Sequence, residues 1–530
     1  MDTPTQVLIL SCIPFAFFLI YITFIKRVSN KPLKLRAANS DQIHKYSTSS
    51  VSSSSSSSSS HRFPPGSRPF PIIGNILQIG SNPLLSITNL SKTYGPIMSL
   101  KLGTRTVVVI SSPEIAKEAF HKHDLDFSGR TFPDSARGLD HHQFSIAWLP
   151  ISPQWKALRR ACVTNLFSTL KLDSTEVLRK SKVGDLINHV HEFSIKGEAV
   201  DLAEAAFTTV LNSISNMLFS RDFACYGSDK SQEYKKLVIG ILHEAGRPNV
   251  SDIFPILSFL DLQGARARMR GYCKTLYELF EDILEQRLSF RGSKMESKDY
   301  NDVLDSFIDF IQDDSSQLSR ADVLHLFLDL FLAGTDTTST TLEWAMAELI
   351  RNPEQMAKAK TELQQVVGQS SVKLEESMVL KLPFLQAVIK ETLRLYPPAP
   401  FLPPHKAICD VELCGFLVPK NAELTVNMWA MGRDPSIWED PNLFLPDRFL
   451  ESEIDFKGSD FEFIPFSAGR RICPGLPLAS RVLGFMLASL IYHFDWKVPD
   501  GLKPEDMDMS QNNGITLHKA QPLRAIPIRV

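Results

Sequence analysis

The sequence of 530 residues predicts a mainly α-helical protein with a small β-rich portion. Helices are favoured by successive amphipathic patterns from about residue 172 to residue 320, by a long pattern from Ala321 to Arg351, and by an apolar-rich run from Leu476 to Trp496. Strand patterns occur at Ile97–Gly103 and Thr106–Ile110, which we expect to form a hairpin around a glycine-containing turn.

Composition places the chain among globular proteins with a large core, because 43% of the residues are hydrophobic and 22% are charged. A formal net charge of −2 argues against a nucleic acid or another polyanion as partner. The seven cysteines are scattered, odd in number and without paired metal spacing. We therefore expect neither a disulfide framework nor a zinc site, and we expect a reducing compartment for the main body.

The N-terminus carries an uncharged apolar run of 19 residues from Val7 to Ile25, close to the length that spans a bilayer as a helix. Basic residues follow this run, so the positive-inside rule predicts a cytosolic body. A cleavable signal peptide is disfavoured because the basic n-region and small-residue cleavage site are missing. We predict a membrane anchor at 1–27, a flexible serine-rich linker at 28–62 and the main domain at 63–530.

The main domain begins with a proline-rich stretch at 63–74, which must be extended because proline fixes φ and lacks an N–H donor. A helix is predicted from Pro113 to His121, and residues 124–150 are predicted to form a long loop. His141 and His142 lie in this loop without a third ligand at helical spacing. We interpret them as solvated or substrate-facing histidines rather than as metal ligands.

The most informative stretch is 466–475, which reads Phe-Ser-Ala-Gly-Arg-Arg-Ile-Cys-Pro-Gly. A lone cysteine is usually a small buried hydrophobic residue. Here, however, two arginines precede Cys473 and favour a thiolate, and Pro474 is placed to begin the following helix. Cys473 would then lie at the positive end of that helix, and the flanking glycines would let a flat, bulky group approach. This environment suits a cysteine-ligated haem iron.

The spacing of Phe466, Gly469, Arg471, Cys473 and Gly475 resembles the motif of the cytochrome P450 haem-thiolate monooxygenases. One departure is Ser467, where that family usually has glycine, and we expect it to alter only a local turn. The resemblance implies a cytochrome P450 fold that binds haem b, with Cys473 as the metal ligand and with Phe466, Arg471 and Gly475 at the cofactor.

The pattern from Ala321 to Arg351 contains Ala-Gly-Thr-Asp-Thr-Thr at 333–338. Glycine, aspartate and threonine are poor choices inside a helix, by up to about 1 kcal/mol each relative to alanine. Such violations of local preference are common at functional sites, although a simple kink is the alternative. The resemblance implies that Ala333 contacts the haem, that Thr337 hydrogen-bonds dioxygen and that Asp336 relays protons.

Trp155 and Arg159 are four residues apart in a predicted helix and therefore share a face. On an ordinary helix they would form a cation–π surface pair. The resemblance instead assigns both residues to a haem propionate, where arginine supplies charge-assisted hydrogen bonds.

Glu391 and Arg394 also share a helical face, and an exposed pair of this kind would contribute little to stability. With Arg448 downstream, they match a Glu-Arg-Arg triad of the family. The resemblance gives this triad a structural role, in which it locks the segment that leads to Cys473.

Residues 397–405 are rich in proline and must be extended. They resemble the strand that passes over the haem, which implies that Phe401 and Leu402 face the substrate. His405 stands where plant members usually have arginine, and we expect it to donate to a propionate. Ile515 falls in the family's last substrate-contacting turn.

The resemblance implies an enzyme that inserts one oxygen atom of O2 into a C–H bond. No Gly-x-Gly-x-x-Gly segment follows a strand, so the electrons of NADPH are expected to arrive through a separate reductase. Basic side chains are candidates for the side of the haem that faces this partner: Lys156, Arg160, Arg470 and Arg471. Plant members usually reside in the endoplasmic reticulum membrane.

Two segments, 147–155 and 206–216, are similar to a plant group that includes geraniol 8-hydroxylase and diterpene hydroxylases. They suggest a terpenoid substrate, with tyrosine or an alkaloid as the alternative. Two other classes stay open at this point. One is a reductase-independent haem-thiolate isomerase or dehydratase, although such members typically lack the helix threonine. The other is a non-catalytic haem-binding protein.

Overall fold

A computed structural model of the chain describes residues 62–292, 302–313, 317–368 and 374–530. In these residues α-helices predominate and the strands are short, so the predicted mainly α fold is confirmed. The predicted anchor at 1–27, with its transmembrane helix, lies outside the described residues, and so does all but the last residue of the predicted linker.

The α-helices of the described residues range from single turns to the 32-residue helix α12. In chain order they are α1 Ile76–Ile79, α2 Pro83–Tyr94, α3 Pro113–Lys117, α4 Pro153–Cys162, α5 Thr169–Ser174, α6 Glu176–Lys196, α7 Leu202–Phe219, α8 Asp229–Gly246, α9 Val250–Ile253, α10 Ala265–Gly292, α11 Leu304–Gln312, α12 Arg320–Arg351, α13 Pro353–Gly368, α14 Pro383–Leu395, α15 Met428–Met431 and α16 Leu476–His493.

The strands form small sheets. They are β1 Ile97–Leu102, β2 Arg105–Ile110, β3 Gly129–Arg130, β4 Val200–Asp201, β5 His405–Lys406, β6 Val411–Leu413, β7 Phe416–Val418, β8 Glu423–Val426, β9 Phe494–Lys497, β10 Gln511–Asn513, β11 Leu517–Lys519 and β12 Arg524–Arg529. One sheet has the order β1-β2-β8-β5-β3 and another has the order β4-β12-β9, while β6-β7 and β10-β11 are separate pairs.

The predicted hairpin is confirmed, since β1 and β2 pair antiparallel with Leu102 opposite Arg105. Gly103 adopts the left-handed φ of +57° that this tight turn requires. Strands from later in the chain join this hairpin. Strand β8 pairs parallel to β2, and β5 connects β8 to β3. Of the predicted strand at 397–405, only His405 pairs in the sheet.

Helix α12 lies at the centre of the fold and packs against α7, α16 and α14. Its predicted span is confirmed to within one residue. Ser319 caps its N-terminus by accepting from the backbone N–H of Asp322, whose carboxylate accepts in turn from the N–H of Ser319. Gly334 permits the close contact with α7, because a Cβ there would lie 2.7 Å from Cδ1 of Ile214.

Helix α16 is the one helix in the described part of the chain that is long and apolar enough to cross a membrane. Its residues 482–491 are buried within the protein, so it is a core helix, as the sequence predicted. The helix ends at His493, and residues 494–497 form β9 instead of continuing it.

Candidate active site

The loop at 466–475 folds back so that the backbone N–H of Cys473 donates to the carbonyl of Phe466 at 2.9 Å. Ser467 and Gly469 both adopt left-handed backbone conformations, with φ near +65°. Helix α16 begins at Leu476 with Gly475 as its N-cap, so Pro474 precedes the helix rather than beginning it as predicted. Cys473 therefore lies just before a helix N-terminus.

The backbone N–H groups of Gly475 and Leu476 hydrogen-bond the sulfur of Cys473, as expected at the start of a helix. Burial raises the pKa of Cys473 above its ordinary value, while these N–H groups and Arg159 oppose that rise. A coordinating metal ion deprotonates such a thiol outright. The position of the sulfur suits a metal ligand, and a bound metal ion would convert it to a thiolate.

The predicted effect of the neighbouring arginines on Cys473 is wrong. Arg470 is largely exposed and pairs with Asp124 at 2.7 Å. Arg471 points elsewhere and donates to the carbonyls of Ser128 and Leu149, at 2.8 and 2.6 Å. The positive charge that acts on the sulfur comes from α4, where Arg159 donates to the carbonyl of Ile472 at 2.6 Å.

A cavity of about 340 Å³ is lined both by the Cys473 loop and by α12. Its wall includes every residue that the sequence predicted to contact the cofactor except His405: Ala333, Trp155, Arg159, Phe466, Arg471, Cys473 and Gly475. Thr337 also lines the cavity, and its hydroxyl donates to the carbonyl of Ala333 at 2.6 Å. The structure therefore places the cysteine and the threonine around one shared space.

Trp155 reaches the cavity but has no donor left for a propionate. Its indole N–H donates to the carbonyl of Ile146 at 3.0 Å, and its ring packs 4.9 Å from the guanidinium of Arg471. Trp155 thus positions Arg471 and the loop at Ile146.

Three basic side chains converge beside this cavity: the half-buried Arg130 and the buried His405 and Arg471. Arg130 and His405 face each other across the β3–β5 pair. Burial and the charge of Arg471 lower the pKa of Arg130 to about 9, and burial and the charge of Arg159 lower the pKa of Arg471 to about 10. The pKa of His405 falls well below 6.5, through burial and the charge of Arg130.

Each of these three side chains has a buried nitrogen without a hydrogen-bond partner in the described residues, namely Nε of Arg130, Nε2 of His405 and Nη1 of Arg471. None of the three forms an ion pair with a carboxylate of the described chain. Buried cations normally have an anionic partner. The cluster therefore fits the carboxylates of a bound group, which is what haem propionates would supply.

His405 contributes to this cluster with a restriction. Its Nδ1 lies 2.8 Å from the carbonyl oxygen of Phe127. Because a carbonyl oxygen can only accept, Nδ1 carries the proton and donates this hydrogen bond. In the neutral ring, Nε2 then carries a lone pair and cannot donate. His405 can hydrogen-bond an anion only as imidazolium, a form that the charge of the anion itself would favour.

Asp336 does not line the cavity with Thr337. Its carboxylate is buried and lies 3.3 Å from Nε2 of His518 on β11. His518 was not identified from the sequence, because β11 approaches α12 only through tertiary packing.

Of the residues predicted to face the substrate, Leu402 lines the cavity, whereas Phe401 and Ile515 do not. Leu402 has a left-handed φ of +47°, which turns its side chain inward. Phe401 packs into the core instead, and Ile515 packs against Gly246.

The Glu391, Arg394 and Arg448 side chains are brought together. Glu391 accepts two hydrogen bonds from Arg394, each at 2.7 Å, and one from Nε of Arg448 at 3.1 Å. Arg394 also donates to the carbonyls of Gly432, Pro441 and Leu443. Because Glu391 and Arg394 are fully buried, the pair is rigid and ties α14 to the segment before the Cys473 loop.

His141 belongs to a buried cluster instead of facing solvent. Its Nε2 lies 3.1 Å from Oδ1 of Asp329, and its Nδ1 lies 2.9 Å from Nδ1 of His325. Asp329 also accepts from the hydroxyl of Ser145 and from the backbone N–H of Ile146, both at 2.8 Å. No group of three or more His, Cys, Asp or Glu side chains in the described residues is arranged to hold a metal ion. The cluster joins the loop at 141–146 to α12.

Comparison with known proteins decides the family. The family profile described as Cytochrome P450 matches residues 64–523. The chain belongs to the cytochrome P450 family. Members of this family carry a haem held by a cysteine thiolate, and the chain is a cytochrome P450 monooxygenase.

This cytochrome P450 is similar to curated plant proteins over most of its length. Cytochrome P450 monooxygenase 76AD131 of Lophophora williamsii is 52% identical over 467 residues, which cover 88% of this chain and 93% of the relative. Cytochrome P450 76C4 of Arabidopsis thaliana is 50% identical, over 88% of this chain and 92% of the relative. Geraniol 8-hydroxylase of Catharanthus roseus is 48% identical, over 88% and 93%. The relatives place the chain in a plant group of this family.

Proposed function

We propose that this cytochrome P450 hydroxylates a small apolar plant metabolite, and that this metabolite is a terpenoid. The observation that carries the proposal is the apolar lining of the cavity wall around Thr337. Aliphatic side chains contributed by three parts of the fold form that wall: Val210, Ile214, Met217, Leu218, Leu330 and Leu402. An apolar wall of this kind binds a ligand chiefly by burying its hydrocarbon surface.

The one carboxylate on that wall does not favour a cationic substrate. Asp329 already receives donors from Ser145, Ile146 and His141, so its charge is held by the protein. A substrate ammonium would have to compete with these three contacts. This arrangement supports a terpenoid over tyrosine or an alkaloid amine, and two relatives named geraniol 8-hydroxylase are 48% and 46% identical to the chain.

The residues proposed to hold haem b follow from the site. Cys473 would hold the iron through its sulfur, and Arg130, Arg471 and imidazolium His405 would bind the propionates. Arg159 holds the carbonyl before Cys473, and Phe466, Gly475 and Ala333 form apolar wall. Bound haem supplies the activation of O2, while the protein orients the substrate and manages protons.

Thr337 and Asp336 are proposed to deliver those protons. The Thr337 hydroxyl lines the cavity and can accept one hydrogen bond while donating another. Asp336 is the adjacent buried acid, and it can carry a proton from the outer side of α12. The presence of Thr337 supports a monooxygenase over an isomerase that needs no proton delivery.

Electrons are proposed to come from NADPH through a partner reductase. Lys156 and Arg160 are exposed on the same face of α4, and exposed Arg470 extends the positive charge beside the Cys473 loop. A basic surface of this kind attracts an acidic partner and increases its association rate.

We further propose that the protein resides on the endoplasmic reticulum membrane, with the catalytic domain in the cytosol. In the described residues, Ile256 and Phe259 are exposed to 82% and 76%, which suits contact with lipid. The predicted domain boundaries, with an anchor at 1–27 and a linker at 28–62, belong to the same proposal.

The test is turnover by the full-length protein in membranes that contain a plant reductase. Monoterpene alcohols, diterpenes, tyrosine and an alkaloid amine would be supplied separately with NADPH, and products would be identified by mass spectrometry under ¹⁸O2. We expect one labelled oxygen in a terpenoid product and none without reductase. Labelled product from tyrosine or the amine alone would overturn the substrate assignment, and unlabelled product without NADPH would indicate the isomerase class.

A further inference from the structure

The carboxylate of Asp336 has an unusual environment for a buried charge. Its side chain is only 3% exposed, and Oδ2 has no well-aligned hydrogen bond in the described residues. The nearest cation is His518, whose Nε2 lies 3.3 Å away, and no other described cation is within ion-pair distance. A buried carboxylate held by one weak contact adds little to stability. A role in proton transfer therefore explains the buried carboxylate of Asp336 better than a structural role.

His518 is held over Asp336 by the packing of β11 on α12. The indole N–H of Trp344 donates to the carbonyl of Leu517 at 2.9 Å, and the hydroxyl of Thr340 approaches the same oxygen at 3.4 Å. These contacts fix the residue next to His518. The His518 side chain is 33% exposed, so one imidazole edge reaches solvent while Nε2 faces the buried carboxylate.

The charges that face His518 come from two helices. Burial lowers the pKa of His518, but Asp336 and then Glu343 on α12 outweigh this effect, and Lys235 on α8 opposes them. The pKa therefore ends above 6.5. An imidazole that contacts both a carboxylate and solvent can release a proton and regain one.

We propose that His518 is a positioning residue for proton delivery in this enzyme, holding the Asp336 carboxylate on the outer side of α12 and passing protons to it. In each transfer, the Nε2–H bond of the imidazolium breaks and an O–H bond forms on Oδ2 of Asp336. This leaves a neutral imidazole and a neutral carboxylic acid. The imidazole regains a proton from water at its exposed edge, and the acid releases its proton toward Thr337.

This inference rests on the proposed monooxygenation, which creates the demand for protons. One oxygen atom of O2 enters the substrate, and the other leaves as water with two protons from solvent. The electrons come from NADPH through the reductase. The pair of Asp336 and His518 supplies only protons, so each cycle returns both residues to their starting charges.

The test compares His518→Gln and His518→Arg with the full-length wild type in membranes with reductase. The readout is the fraction of NADPH electrons recovered in product rather than in hydrogen peroxide, measured as a function of pH. We expect His518→Gln to lower this fraction roughly tenfold, which is less than the effect of removing a group that delivers the proton directly to the reacting oxygen. Wild type should lose product yield as pH rises above the His518 pKa, and His518→Gln should show no such dependence.

His518→Arg separates holding from transfer, because arginine keeps the ion pair but does not release a proton. We expect it to retain Asp336 in place and still to give the low product yield of His518→Gln. The matched control is His243→Gln, which removes an exposed histidine that lies 3.7 Å from a carboxylate oxygen of Glu244. It should behave as wild type at every pH.

A second readout does not depend on turnover. A double-mutant cycle of His518→Gln and Asp336→Asn, measured on urea unfolding, should give a coupling near pH 6 that is lost as the pH rises through the raised pKa of His518. The sign follows from the raised pKa of His518, since its stabilising charge is lost as pH rises through that pKa. Glu343 titrates in all four proteins, and its contribution cancels in the cycle.

The inference is overturned if His518→Gln matches wild type in product yield at every pH, or if the cycle shows no coupling near pH 6. Failure of the proposed function has a different signature. In that case the wild type itself would give no thiolate-type Soret band under carbon monoxide, or no O2-dependent product.

Discussion

Replacing Ser467 with glycine should stabilise the Cys473 loop at 466–475. Ser467 has a φ of +65° and is buried, and its hydroxyl has no hydrogen-bond partner in the described residues. A left-handed conformation costs a non-glycine residue about 1–2 kcal/mol. A buried hydroxyl without a partner costs about 1–3 kcal/mol more. Ser467→Gly removes both penalties.

Glycine also loses more conformational freedom on folding, which opposes the gain by about 0.5–1 kcal/mol. Even if each of the two penalties that glycine removes is only about 1 kcal/mol, subtracting the entropic cost leaves a net stabilisation of about 1 kcal/mol. The backbone hydrogen bond from Ser467 to the carbonyl of Ile464, at 2.8 Å, is unaffected by the change. The effect should therefore come from the backbone conformation and the hydroxyl alone.

The assay is urea unfolding of the full-length haem-loaded protein, followed by loss of the thiolate-type Soret band. With a slope of about 3 kcal/mol per molar urea, a gain of about 1 kcal/mol moves the midpoint upward by about 0.3 M. Ser467→Ala is the matched control, since it removes the hydroxyl and keeps the positive φ. We expect the order glycine, alanine, serine from most to least stable. A glycine variant no more stable than wild type would refute the reasoning.

Four other substitutions test the described contacts. Glu343→Gln should stabilise the protein near pH 8 by at most about 3 kcal/mol and less near pH 6, measured by urea unfolding. Burial raises the pKa of Glu343 to about 7, so the free energy of unfolding of the wild type falls as the pH rises from 4.5 toward that value and levels off above it. Arg130→Met should lower haem content in the purified protein, whereas Arg470→Met should not. Gly334→Val should lower substrate affinity by spectral titration, because its side chain would displace Ile214. Arg394→Lys should destabilise folding by about 3 kcal/mol or more, because the buried Glu391 would lose its bidentate partner; unchanged unfolding of this variant would contradict a structural role.

The helices and the cysteine loop could be predicted because their signals are local. The period of the apolar residues predicted the bounds of α12 to within one residue. The close spacing of the glycines and Cys473 indicated the Cys473 loop. The β1–β2 hairpin could also be predicted from the sequence, since its turn glycine and both strands lie in one short stretch.

The residues that sequence reasoning missed are those placed by long-range packing. Arg130 reaches His405 and Arg471 only because β3 pairs with β5, a strand far away in the chain. His518 meets Asp336 only because β11 packs on α12. The same cause explains the error at Arg470, where sequence adjacency to Cys473 suggested an electrostatic effect but the side chain pairs with Asp124.

The contacts of Asp329 have a consequence for how the loop at 141–146 is held on α12. The Ser145 hydroxyl, the Ile146 amide and His141 all donate to or contact this one carboxylate, so displacing the loop from α12 breaks three interactions in a single event. Partial opening would leave a buried charge without partners, which makes intermediate positions unfavourable. Displacement of the loop at 141–146 from α12 is consequently expected to be cooperative, because its three contacts with Asp329 are lost together.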